Sequence, residues 1–116
     1  MVPRPPCWLA AALLGLTLLI TACRREPPAA DSCLTTAQAS ALPQALEHCN
    51  AVVRAHPRDP RPLNDRFLLQ TLLQNTTAAC IDIRRAAALL KQQPGPVQDD
   101  LRDEVQVRLD SCLGGR

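Results

Sequence analysis

The sequence predicts an all-α domain: a small array of helical hairpins with four or five short helices, stapled by two disulfides. Apolar residues recur three and four positions apart in several stretches, as in amphipathic helices, and no stretch alternates with the period of two that strands need. Prolines and polar turn residues separate these stretches. The chain of 116 residues contains six cysteines, and its only aromatic residue past Ala22 is Phe67. A domain this small, with few large apolar side chains, often needs covalent staples.

The first two predicted helices lie on either side of a proline-rich turn. One runs over 43–55 with Pro43 in its first turn, and its apolar positions are Leu42, Ala45, Leu46, Cys49, Val52 and Val53. The sequence HPRDP at 56–60 ends this helix, because the residue before each proline is pushed out of the α region. The second helix is predicted within 61–74 on a stripe formed by Leu63, Phe67, Leu69, Leu72 and Leu73. A shorter helical piece at about 34–41 would precede both.

Two further helices are predicted on either side of the sequence Pro94-Gly95-Pro96, which is a strong helix break. Asn75-Thr76-Thr77 offers capping oxygens for the third helix, which reaches about Gln92. The apolar stripe of this helix consists of Cys80, Ile83, Ala87 and Leu90. The fourth stripe consists of Val97, Leu101, Val105, Leu109 and Cys112. Gly114-Gly115 ends it.

The first 22 residues have the features of a secretory signal. Arg4 provides one positive charge, and residues 7–20 form an apolar run. This run is shorter than the roughly 20 apolar residues that a membrane-spanning helix needs, and it fits the apolar region of a signal peptide. We therefore expect the domain to be exported to a compartment in which disulfides form.

Residues Ile20-Thr21-Ala22-Cys23 resemble a bacterial lipobox. In lipoproteins with this motif a diacylglycerol is attached to the cysteine sulfur, a dedicated peptidase cuts before the cysteine, and the new amino terminus is commonly acylated. The resemblance implies lipidation of Cys23, cleavage between Ala22 and Cys23, and anchoring in the bacterial cell envelope. Arg24 stands where an Asp commonly retains lipoproteins in the inner membrane, so the periplasmic face of the outer membrane is favoured. An ordinary cleaved signal with a structural Cys23, or an uncleaved anchor, are the alternatives.

The rest of the chain divides into a tether, a domain and a short tail. Residues 23–32 combine charge, proline and alanine without apolar periodicity, so we interpret them as a lipidated, disordered tether. The helical domain would run over 33–113, and 114–116 would form the tail. With Cys7 in the signal and Cys23 lipidated, the domain keeps an even number of cysteines: Cys33, Cys49, Cys80 and Cys112.

Four cysteines allow three pairings, and the hairpin layout ranks them. Cys80 lies 14 residues before the Pro94-Gly95-Pro96 turn and Cys112 lies 16 residues after it, so an antiparallel hairpin would bring them together. Cys33 and Cys49 likewise lie on either side of a predicted turn. The predicted disulfides are therefore Cys33–Cys49 and Cys80–Cys112. Metal binding is the competing hypothesis, and the lack of any C-x-x-C spacing argues against it.

Two of the predicted helices repeat a pattern after 34 residues. ALEHCNAVVRAHP begins at Ala45, and ACIDIRRAAALLKQQP begins at Ala79. This period and the position of the small residues resemble the second helix of a tetratricopeptide repeat. The intervening helix departs from the repeat pattern, since Leu63 stands at the usual Trp position, Arg66 replaces Leu and Phe67 replaces Gly. The resemblance implies a degenerate repeat array capped by the last helix. The alternative is a disulfide-stapled bundle in which the echo is chance.

Composition and motifs argue against several function classes. Removing the signal removes one basic residue, Arg4, and leaves 12 basic against 11 acidic residues, which provides no electrostatic footprint for nucleic acid. His48 and His56 are the only histidines, and they lie over two helical turns apart. The acidic pairs Asp99-Asp100 and Asp103-Glu104 suit the start of a helix. There is no glycine-rich phosphate loop, so we predict no active site, no cofactor and no enzymatic activity.

The expected function is that of a membrane-anchored protein-interaction module. Helical hairpin arrays typically present a concave face to a peptide or partner helix, and an accessory role in envelope assembly or secretion would suit a lipoprotein of this size. The alternative is a small-ligand-binding lipoprotein. A pocket of roughly several hundred cubic ångströms would favour that alternative, but four short, alanine-rich helices argue against such a pocket.

Overall fold

The domain folds into four α-helices, and no strand is present among the described residues. The computed structural model describes residues 25–35, 37–93, 95 and 98–114. A 3₁₀ turn at Ala39–Ala41 leads into the helices, which are α1 (Leu42–Ala55), α2 (Pro60–Leu72), α3 (Thr76–Lys91) and α4 (Asp99–Gly114). The predicted all-α fold is confirmed. The predicted signal segment, its cleavage site and Cys23 lie outside the described residues.

Capping side chains explain where two of the helices begin. Asp59 caps α2, because its carboxylate accepts a hydrogen bond from the backbone amide of Arg61 at 2.9 Å. Pro60 follows at the first helical position, where its missing amide has no partner to lose. Asn75 caps α3 by accepting a hydrogen bond from the amide of Ala78 at 3.3 Å. The observed bounds of the four α-helices therefore agree with the predicted ones to within one or two residues, whereas the shorter piece predicted at about 34–41 is helical only over Ala39–Ala41.

Each helix packs against its neighbours in sequence, so α2 lies between α1 and α3, and α3 lies between α2 and α4. The connecting turns are short, and consecutive helices run antiparallel. The core is almost entirely aliphatic, with one aromatic ring. Its buried members are Cys33, Ala45, Cys49, Val52, Val53, Leu63, Phe67, Leu69, Ala79, Ile83, Ala86, Leu90 and Val105.

The positions of the 34-residue echo are buried alike. Both α1 and α3 pack on α2. The corresponding residues are almost completely inaccessible in both helices: Ala45 with Ala79, Cys49 with Ile83, and Val52 with Ala86. The echo therefore places small and apolar residues at matching sites of two helices that share a neighbour.

Both predicted disulfides are present. Cys33 and Cys49 are joined with their Cα atoms 4.4 Å apart, and Cys80 and Cys112 with theirs 5.7 Å apart. The first bond ties the segment before α1 to the middle of that helix. The second ties the start of α3 to the end of α4, as an antiparallel hairpin requires.

The segment from Pro28 to Cys33 lies along α1. The Nε2 atom of His56 donates a hydrogen bond to the Pro28 carbonyl at 2.7 Å, and Nε2 of His48 donates to the Ser32 carbonyl at 3.0 Å. Because these contacts lie within 23–32, the last part of the predicted tether is held against the domain. The chain reaches α1 at its C-terminal end and runs back toward its middle.

A buried ion pair connects the first three helices. Arg66 on α2 donates from Nε to Oδ2 of Asp82 at 2.8 Å and from Nη2 to Oδ1 at 2.6 Å. Its Nη1 atom donates to Oδ1 of Asn50 on α1 at 3.0 Å. The side chains of Arg66 and Asp82 are only 20% and 5% exposed. The arginine that departs from the repeat pattern is thus satisfied by partners on both neighbouring helices.

Candidate functional site

The antiparallel helices give the array two different ends. We call one the groove end, formed by the α1–α2 turn at 56–59 and the start of α4. The other is the apolar end, formed by the α2–α3 turn at 73–75 and the end of α4. The two ends differ in charge, in exposed apolar side chains and in their distance along the chain from Cys23.

An open groove lies at the groove end. Its volume is about 640 Å³, which is within the range of small-molecule sites. The expectation that such short helices would leave no pocket of this size was wrong, because the groove lies between two turns rather than inside the helix packing. It is lined by His56, Pro57, Arg58, Asp59, Arg61, Gln93, Gln98 and Leu101.

Hydrogen bonds to backbone carbonyls hold the walls of the groove together. The side-chain amide of Gln93 donates to the carbonyl of Arg58 at 2.7 Å, and the guanidinium of Arg85 donates to the carbonyl of Pro57 at 3.2 Å. Arg102 on α4 donates to the Gln93 carbonyl at 2.6 Å. The α1–α2 turn is thereby fixed against the end of α3 and the first turn of α4.

The charged side chains of the groove are not equivalent. Asp59 and Arg61 form a close ion pair, with the guanidinium contacting both carboxylate oxygens. Burial would raise the pKa of Asp59, but hydrogen bonds from the side chain and amide of Arg61 hold that pKa below its usual value. Arg58 is exposed, and its guanidinium has no ion-pair partner among the residues that the structure describes. Arg58 is therefore the groove cation that is available to an anion.

One wall of the groove also carries an unused acceptor. Oε1 of Gln98 is inaccessible and has no hydrogen-bond partner within the described part of the chain. This acceptor is closed to a ligand, so Arg58 remains the groove side chain that a small anion could contact.

Three large apolar side chains are exposed at the apolar end. Leu72 ends α2, Ile81 lies near the start of α3, and Leu113 lies near the end of α4; they are 63%, 58% and 63% exposed. Single exposed apolar residues are ordinary, but three from different helices at one end suggest a contact surface. A shallow depression beside Ile81 is lined by Thr76, Thr77, Cys80, Ile81 and Arg84.

A polar cluster connects α2 to α4. Arg108 donates to the carbonyl and to Oδ1 of Asn64 at 2.8 and 2.6 Å, pairs with Glu104, and lies 5.5 Å from the ring centroid of Phe67. Burial raises the pKa of the nearby Asp65 to about 6, with Arg108 opposing this shift and Glu104 adding to it. These contacts attach the last helix to the array.

The residues considered for chemistry in the sequence remain apart. His48 and His56 each contact the N-terminal segment rather than each other. In the described ranges, no three His, Cys, Asp or Glu side chains are grouped so that they could hold a metal ion. Asp99 lies 3.9 Å from Nε of Arg102 in an exposed pair. Among the described helices, none combines the length and hydrophobicity that crossing a membrane requires.

Three features were not predicted from the sequence: the groove, the contacts of both histidines and the role of Arg66. The pair Asp82 and Arg66 carried a usable signal, because charged residues within apolar stripes imply a buried partner. The groove had no such signal in the sequence, since it depends on how the α1–α2 turn meets the segment between α3 and α4.

Comparison with protein-family models, with curated proteins and with solved structures finds no match to this chain. Its function must therefore be inferred from its own residues.

Proposed function

We propose that the protein is a lipid-anchored module of the bacterial cell envelope, attached through Cys23, that presents a helical array to a protein partner. An accessory role in envelope assembly or secretion suits such a module. The observation that carries the proposal is that two features lie at opposite ends of the array. The N-terminal segment joins it at the groove end, and the exposed apolar side chains lie at the other end.

The path of the N-terminal segment supports this arrangement. The carbonyl of Pro28 accepts a hydrogen bond from His56 at the end of α1. A lipid on Cys23 would therefore hold the groove end closest to the membrane. The antiparallel helices then direct the apolar end away from the bilayer. A partner in the periplasm would meet Leu72, Ile81 and Leu113 first.

The chemistry of the apolar end favours an apolar partner segment. Its three exposed side chains are aliphatic, and burying such side chains drives most protein association. Helical arrays bind amphipathic helices or extended peptides through surfaces of this kind. The equivalent burial of the echo positions in α1 and α3 supports the repeat-like interpretation, in which the array is a scaffold for such a surface.

Site-specific photocrosslinking in living cells tests the partner surface. A photoreactive residue at Leu72 or Leu113 is expected to give the same discrete protein adduct, whereas one at the exposed Lys91, at the groove end of α3, is expected to give none. Adducts of equal yield at all three positions, or at none, would contradict the proposal.

Intact-mass analysis of the membrane fraction tests the anchor separately. The expected mature chain begins at Cys23 and carries a diacylglycerol, and the variant Cys23→Ser is expected to leave the membrane fraction. A mature chain that begins at an unmodified Cys23 would end the lipoprotein hypothesis.

A small-ligand-binding function is the second candidate, and the groove of about 640 Å³ favours it. The exposed Arg58 suits a small anion. Arg58→Ala should then abolish ligand-induced thermal stabilisation while leaving adducts at Leu72 unchanged, which separates this candidate from the interaction function.

A further inference from the structure

We propose that the groove end docks on the headgroup phosphates of anionic phospholipids in the membrane that holds Cys23, with Arg58 as the main contact. The inference rests on the proposed lipid anchor. It concerns a surface that the partner-binding function does not use.

The length of the tether limits how far the groove end can move from the membrane. Pro28 lies five positions after Cys23, and its carbonyl accepts a hydrogen bond from His56. Fully extended, five residues reach about 17 Å. The headgroup region of one leaflet occupies about 5 to 7 Å of this distance. The α1–α2 turn therefore stays within about 10 Å of the headgroups, a distance comparable to the Debye length of about 8 Å at physiological salt.

Three arginines in the N-terminal segment and near the α1–α2 turn carry exposed positive charge. Arg25, Arg54 and Arg58 are all exposed, and none of them forms an ion pair within the part of the chain that the structure describes. Arginine binds phosphate through two parallel N–H groups, so it suits this contact. At the turn itself, the carboxylate of Asp59 is already neutralised by Arg61.

The other acidic residues at this end lie in the N-terminal segment and in α4, and one of them, Asp31, is close enough to act on the charge of Arg61. Glu26 is in the tether, and Asp99 and Asp100 lie in the first turn of α4. The charge distribution therefore favours an approach in which the α1–α2 turn, rather than the start of α4, faces the bilayer.

The narrow gap favours lipid over a protein partner at this end. A folded domain of about 100 residues has a radius of gyration of about 13 Å, so it does not fit into a space of about 10 Å. Lipid headgroups, in contrast, are already at that distance.

Fluorescence quenching in proteoliposomes tests the docking with the processed, lipidated protein. The only tryptophan, Trp8, lies in the segment that cleavage would remove, so one introduced tryptophan reports a single position. Ala55→Trp reports the groove end and Leu113→Trp reports the apolar end; both sites are exposed. With brominated lipids in vesicles of phosphatidylcholine and phosphatidylglycerol, quenching at Ala55→Trp is expected to exceed that at Leu113→Trp several-fold.

Charge reversal identifies the headgroup contact. Arg58→Glu in the Ala55→Trp background is expected to reduce quenching at least two-fold, while the matched variant Arg84→Glu on the exposed face of α3 leaves it unchanged. Omitting phosphatidylglycerol should reduce quenching similarly, and adding inorganic phosphate to the solution should not restore or replace it.

Equal quenching at the two tryptophan positions, or quenching that does not depend on phosphatidylglycerol or Arg58, would overturn the docking proposal. Loss of quenching on addition of inorganic phosphate would instead assign the groove to free phosphate and also overturn it. Intact mass of the same preparation establishes whether Cys23 is lipidated, so failure of the anchor is distinguished from failure of the docking.

Discussion

The buried pair between Arg66 and Asp82 makes a strong prediction about stability. Replacing Asp82 with Ala leaves the Arg66 guanidinium without the carboxylate that now receives two of its hydrogen bonds, at 2.8 and 2.6 Å. Breaking a buried ion pair by removing one partner costs about 3 to 5 kcal/mol. Since 20% of the Arg66 side chain is exposed and can be partly hydrated, we expect the lower end, about 3 kcal/mol.

The free energy of unfolding should be measured by urea denaturation of the purified, oxidised protein, followed by far-ultraviolet circular dichroism. Asp99→Ala serves as the control, because the pair of Asp99 with Arg102 is 3.9 Å long and largely exposed. That variant should lose less than about 1 kcal/mol. A comparable loss in the two variants, or a loss below about 1 kcal/mol for Asp82→Ala, would refute the assignment of a buried pair.

The double variant Arg66→Met with Asp82→Leu separates the pair from the packing. Replacing both partners with apolar residues of similar volume is often neutral or stabilising, because no unpaired charge remains. We therefore expect the double variant to recover most of the stability that Asp82→Ala loses. If it is as unstable as the single variant, the loss arises from packing and not from the orphaned guanidinium.

Two further predictions concern titration and covalent structure. The folded pKa of Asp65, about 6, lies above its ordinary value of 3.8, so the folded state holds the proton more tightly and stability should fall as pH rises between about 4 and 6. Asp65→Asn should remove this fall in stability. Its urea midpoint should therefore exceed that of the wild type at pH 7 but not at pH 3. A difference in midpoint that does not change with pH would contradict the titration of Asp65. Limited dithiothreitol should open Cys80–Cys112 before Cys33–Cys49, since Cys112 is partly exposed and the latter pair is inaccessible. Alkylation followed by peptide mass mapping would show the order of reduction. The reverse order would mean that solvent exposure of the cysteines does not determine which disulfide is reduced first.

The fold was predictable because its determinants are local. Apolar spacing located the helices, prolines and capping residues located the turns, and short turns imposed antiparallel neighbours. The disulfides followed from the same layout, since Cys80 and Cys112 stand at nearly equal distances from the turn between them. No information about distant contacts was needed for any of these steps.

The candidate functional surfaces were not predictable in the same way, because they depend on contacts between residues distant in sequence. The groove forms where the turn at 56–59 meets Gln93 and Gln98, and no periodic pattern encodes that meeting. The bond between His56 and Pro28 is of the same kind. A histidine before a proline is typical of a solvated helix end. Here, however, the ring of His56 fixes the direction from which the N-terminal segment approaches the domain.

The disulfide Cys33–Cys49 accordingly has a second role besides stability. By loop entropy the two disulfides should contribute about 3 to 4 kcal/mol each, so they are nearly equivalent as staples. They are not equivalent in position. Cys80–Cys112 joins two helices that already pack together, whereas Cys33–Cys49 holds the segment after Pro28 along α1. Without it, that segment would depend on the hydrogen bonds of His48 and His56 alone. If Cys23 is the lipid anchor, as we propose, loss of Cys33–Cys49 should lengthen the effective tether and release the groove end from the membrane, while loss of Cys80–Cys112 should leave the orientation intact.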